Sequence, residues 1–110
     1  MILFPNAAVS FDSIKATVAQ AYGVKPEDFN LRGRRIERIS VSRMVAMTLC
    51  LHAGYSTTHV AREFNRCDHT ASVWAKKRVM GWYIQNPKFA DALDSLANDC
   101  GLEPFSRVAA

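Results

Sequence analysis

The sequence holds no apolar run long enough to cross a bilayer, and its opening Met1 to Pro5 carries no basic residue. Both absences argue against a membrane span or a secretory leader and lead us to expect a cytoplasmic protein. Its three cysteines, Cys50, Cys67 and Cys100, are odd in number and not spaced as a disulfide framework, as expected in a reducing compartment. Five glycines are present, yet none belongs to a Gly-x-x-x-x-Gly-Lys-Ser/Thr loop. No nucleotide and no other cofactor is therefore expected. Cys50 and His52 lie two apart on a predicted helix, where side chains diverge, so no metal is expected. Cys67, Asp68 and His69 are adjacent, and adjacent residues rarely converge as nucleophile, orienter and base. An enzyme is not expected.

What is present is a basic chain with an uneven charge distribution. Its 110 residues, 49% hydrophobic, fit one domain with a modest core. The net charge is +4. Arg32, Arg34, Arg35, Arg38 and Arg43 against Glu37 make one segment +4; Arg62, Arg66, Lys76, Lys77 and Arg78 against Glu63 and Asp68 make another +3. The remainder is −3. Concentrated positive charge on an otherwise mildly acidic chain points to a polyanionic partner. A membrane surface would instead call for bases opposite one long apolar face, which the pattern does not show.

The second basic segment sits in the most patterned stretch, Tyr55 to Val79. Val60, Ala61 and Phe64 share one face of a short helix whose first-turn amides can be capped by Ser56, Thr57 or Thr58. After Asn65, Arg66 and Cys67, Asp68 suits the N-cap of a second helix, its carboxylate answering the orphan amides and the positive end of the dipole. This outline, residues 56 to 80, is a helix-turn-helix. In such a unit the leading end of the second helix enters the major groove of DNA. His69, Thr70 and Ser72 are then the base-contacting candidates, and Lys76, Lys77 and Arg78 can reach flanking phosphates. Val73, Val79 and Met80 would hold the helix to the body.

The surrounding elements also read as helices. Phe11 to Tyr22 places Ile14, Val18 and Ala21 on one face, with Ser10 or Asp12 as cap and Gly23 as stop. Pro26 to about Leu31 makes a short turn, and the arginine-rich 31–39 stretch reads as a loop. Ser42 is expected to cap a central helix that is apolar nearly all round and ends at Gly54. Pro87 begins a last helix with Phe89, Leu93 and Leu96 inward, closed by Gly101 and turned away from DNA. Residues 1–10 read as a leader, 11–101 as the domain and 102–110 as a tail without pattern.

The run Phe64-Asn65-Arg66-Cys67-Asp68-His69-Thr70-Ala71 resembles Phe-Gly-Gly-Arg-Asp-His-Thr-Thr, the signature of the C-terminal DNA-binding domain of the DnaA replication initiator family. Val18 to Phe29, Arg32 to Arg38 and Ser42 to Leu49 occur in that family's order and spacing, so the resemblance extends from Ser13 to roughly Asn98. It implies a small all-α domain with a helix-turn-helix, separated here from the family's ATPase. It also implies a minor-groove arginine in the basic loop, a role that falls on Arg34 or Arg35. Cys67 stands in place of the signature's arginine and Ala71 in place of its second threonine. Both departures bear on which DNA site is preferred.

The expected function is sequence-specific binding of double-stranded DNA, in transcription regulation or in modulation of replication initiation, at the nucleoid. Arg32, Arg38, Arg43, Arg66, Lys76, Lys77 and Arg78 are the phosphate candidates. One helix-turn-helix reads few base pairs, so a second copy or a protein partner is a further expectation. Two rivals stay open: an adaptor that kept the fold and lost specific DNA binding, and an RNA-binding helical domain favouring single strands or hairpins.

Overall fold

The computed structural model describes residues 9–30, 37–65 and 69–105. Within them the chain forms α1 (Phe11–Tyr22), a 3-10 helix (Pro26–Asn30), α2 (Glu37–His52), α3 (Thr57–Glu63), α4 (Thr70–Gln85) and α5 (Pro87–Asp99), with no strand among the described residues. The architecture is all-α, as expected.

Local chemistry accounts for most helix ends. Ser10 caps α1 by accepting from the Ser13 amide, and Gly23 ends it at φ 69°, where the cap amide reaches the Ala19 and Gln20 carbonyls. Ser56 caps α3 through the His59 amide, and Asn86 caps α5 through the amides of Lys88 and Phe89, with Pro87 in the first turn. Phe11 to Tyr22 is the span expected of α1, and its buried face carries Phe11, Ile14, Val18 and Ala19.

α2 is the hub, packing on α1, α3, α4 and the 3-10 helix. Eight of its residues are buried: Ile39, Ser42, Val45, Ala46, Met47, Thr48, Leu49 and Cys50. Ser42 does not cap this helix. The helix starts at Glu37, and Ser42 lies fully buried inside it with its hydroxyl donating to the Arg38 and Ile39 carbonyls at 2.7 and 3.1 Å. The end of the stretch read as a loop, residues 37–39, is thus helical because Ile39 falls on the same inward face as Ser42 and Ala46. Burial pushes the Cys50 thiol up to about 12. It is a packing group with no thiolate to offer at neutral pH.

The domain also extends past residue 101. Leu102 and Phe105 are each only 5% exposed; the Phe105 amide donates to Asp94, and its ring stacks on His52 with centroids 4.0 Å apart. The Glu103 carbonyl meets His52 Nε2 at 2.6 Å. This stretch read as tail because it is short and shows no pattern of its own, whereas the contacts that order it lie on α2 and α5. Val9, in the expected leader, packs against the core and accepts from the Tyr55 hydroxyl at 2.7 Å.

Candidate nucleic-acid interface

The helix-turn-helix is built from its buried side outward. Val60 and Ala61 of α3, its C-cap Phe64, and Ala75 and Val79 of α4 are buried, which clamps the two helices to each other and to α2. Ser72 adds a polar pin: its hydroxyl donates to the Thr57 carbonyl at 2.8 Å and to the His69 carbonyl at 2.9 Å. Ser72 is wholly buried. Its assignment as a base contact is therefore overturned. With Ala75 and Val79 it forms the inward stripe of α4 at i, i+3 and i+7. Val73 and Met80, expected to anchor the helix, are only half-buried.

That register turns Thr70, Trp74 and Lys77 outward at i, i+4 and i+7, all of them exposed. His69 is exposed at the N-cap position, in right-handed helical geometry and without a side-chain capping bond. The described helix begins at Thr70; Asp68, expected as its cap, lies outside the described residues, as do Cys67 and the phosphate candidate Arg66. Lys76, Lys77 and Arg78 are all exposed. Consecutive residues turn about 100° each on a helix, so they fan across it instead of sharing a face. Lys76 lines a groove against Leu51, Tyr55 and Ser56, while Arg78 lines the cleft against Ser40, Arg43 and Met44 of α2. Positive charge thus flanks the outward line of α4 on both sides.

The turn between the helices is held from behind by residues that sequence reasoning passed over. Lys15 of α1 donates to the Glu63 carbonyl at 2.8 Å, and Asn30 donates to the same oxygen at 3.1 Å. The Lys15 ammonium also sits 4.7 Å over the Phe64 ring. Both the cation and the amide answer the carbonyl end of α3. Asn65 adopts φ 58°, a left-handed conformation that asparagine tolerates, and its amide donates to the Asn30 carbonyl at 3.2 Å. Asn30 is the last described residue before the basic loop. The same bonds that shape the turn thus fix where that loop departs. No periodicity signals them, because each joins residues distant in sequence.

Arg32, Arg34 and Arg35, in the stretch expected to form the basic loop, lie outside the described residues. Arg38 is exposed in the first turn of α2, where a cation opposes the helix dipole and gains nothing from it. An external anion is a better partner for it. Arg43 is committed inward through Nε, which donates to the Phe29 carbonyl at 2.9 Å and ties α2 to the 3-10 helix.

No helix among the described residues is long and apolar enough to cross a membrane. Residues 11–79, more than half of the chain, match the family described as the bacterial dnaA protein helix-turn-helix. The chain belongs to that family, and DNA binding comes with membership. The match ends at Val79, so the last six residues of α4 and all of α5 lie beyond it.

Proposed function

We propose that, as a member of this family, the chain binds double-stranded DNA sequence-specifically, with the leading end of α4 in the major groove. The observation that carries this reading is the exposed leading end of α4, His69 and Thr70, mounted on a buried helix-turn-helix core, with the exposed bases Lys76, Lys77 and Arg78 fanning across the same helix about two turns further on. His69 and Thr70 contact base edges in this reading; Arg38, Arg66, Lys76, Lys77 and Arg78 hold phosphates, with Arg32 as a further phosphate contact from the loop. Arg34 or Arg35 enters the adjacent minor groove, from a loop whose root is fixed beside the turn by Asn30. Cys67 and Ala71 stand in place of the arginine and threonine of the family signature, so the preferred site need not be the family's box. The protein then acts at the nucleoid as a transcription regulator or as a modulator of replication initiation.

Selection of bound duplexes from a random pool at near-physiological salt tests this, because low salt lets phosphate contacts mask base readout. A recovered motif is the expected result. A motif matching the initiator box would make the protein a competitor at initiator sites, and a different one a regulator with a reprogrammed helix. Recovery of no motif, with binding indifferent to sequence, would sink the reading and favour the adaptor.

A further inference from the structure

The outward line of α4 carries one residue that neither a polar readout nor a phosphate contact uses. Trp74 is 63% exposed, one helical turn beyond Thr70 and nearly one turn before Lys77. Scattered surface aromatics are ordinary, but this one lies in register with the proposed reading residue Thr70, about 6 Å further along the axis at 1.5 Å per residue. The second tryptophan, Trp82, shows the contrast. It is half-buried and docked edge-on to Phe89, with ring centroids 5.7 Å apart.

The Lys77 ammonium lies 5.4 Å from the centroid of the Trp74 ring, within range for a cation–π contact. The ring also borders an open cleft shared with Met44, Met47, Ala71 and Ala75 and with the cations Arg43 and Arg78. A large apolar side chain with only two rotatable bonds loses little side-chain entropy on contact. In the major groove the one apolar feature that distinguishes base pairs is the 5-methyl group of a pyrimidine, presented by thymine. Ala71 adjoins the ring where the family signature has a threonine, so this stretch of the helix is apolar where the signature is polar.

Resting on the DNA-binding reading above, we infer that Trp74 is a specificity-determining residue that packs on a pyrimidine 5-methyl group, next to the base pairs met by His69 and Thr70. Thymine is the source in unmodified DNA, and 5-methylcytosine presents the same group.

The test uses the full chain and the duplex recovered by selection. Each thymine is replaced in turn by uracil, which removes only the methyl, and a parallel series replaces cytosine by 5-methylcytosine. Affinities are measured for the wild type, Trp74→Ala and Trp74→Phe. The wild type should lose about fourfold at one thymine, the value of one buried methyl at about 0.8 kcal/mol. Trp74→Ala should bind thymine and uracil duplexes alike and keep the wild-type salt slope, while Trp74→Phe should retain the methyl preference. Helical circular dichroism of each variant confirms that the exposed position tolerates the change. A gain with 5-methylcytosine at a single position, abolished in Trp74→Ala, would also support the methyl contact and assign that source. Indifference of the wild type to both series, or a methyl preference that survives in Trp74→Ala, would overturn the inference and leave the DNA-binding reading standing. Absence of any selected motif would remove both.

Discussion

α2 and α4 are each sixteen residues long and neither has a clean amphipathic pattern, yet they are put to opposite use. α2 buries eight residues and is surrounded by α1, α3, α4 and the 3-10 helix, so apolar side chains suit nearly every direction. α4 buries only Ser72, Ala75 and Val79, while Trp74 stands 63% exposed on its far side. α2 is read correctly as the buried helix, whereas the outward bases of α4 mark it as a surface helix without fixing which of its residues turn inward. What separates them is the number of neighbouring elements. α2 is completed by the domain itself, and α4 is left with a surface that a partner finishes.

The comparison breaks hardest in the core. Leu49→Ala, at a fully buried position of α2, should cost about 2–5 kcal/mol of stability in thermal or denaturant unfolding. A loss below about 1 kcal/mol would mean that α2 is not the hub. On α4 the largest effect should fall on recognition instead. His69→Ala or Thr70→Ala should cost about 1–3 kcal/mol on the selected duplex and flatten discrimination among sequences, with the melting temperature nearly unchanged. Intact specificity in both variants would show that the reading end lies elsewhere.

Ser72→Ala sharpens the division within α4 itself. Losing the donor to the Thr57 and His69 carbonyls should lower stability by about 1–2 kcal/mol and leave base preference in place. Altered preference at unchanged stability would return Ser72 to the interface. Arg78→Ala should weaken all duplexes alike and reduce the slope of log affinity against log salt by about one, as titration over salt concentration would reveal. The smallest effect is a gain. Gly81 sits inside α4 and a Cβ there meets no atom within 4 Å, so Gly81→Ala should stabilise the protein by about 0.5–1 kcal/mol. A fall in melting temperature would indicate that the glycine serves a close approach.

Much of this molecule was legible in the chain because the signals are local. Ser10, Gly23, Ser56 and Pro87 act within a few residues of themselves, and each marks a helix boundary found in the structure. The stripe of Val60, Ala61 and Phe64 is a period of one helix, and it located the helix-turn-helix before any packing was known. The exposed bases of α4 followed from composition. Ser42 and Ser72 were misread for a shared reason. Each is a small hydroxyl near an expected helix start, where capping or base contact is the local inference, and each is fully buried and bonded to backbone carbonyls.

By itself, then, the sequence determined the helical elements, the caps at Ser10, Gly23 and Ser56, the helix-turn-helix and the concentration of positive charge, since these depend on residues within a turn or two of each other. Tertiary structure alone decided the rotation of α4 about its axis, because the stripe Ser72, Ala75 and Val79 becomes inward only against α2 and α3. That rotation buries Ser72 and exposes Trp74. It likewise decided the anchoring of the turn by Lys15 and Asn30 and the closure of the core by Leu102 and Phe105, contacts between residues far apart in the chain that no local period encodes.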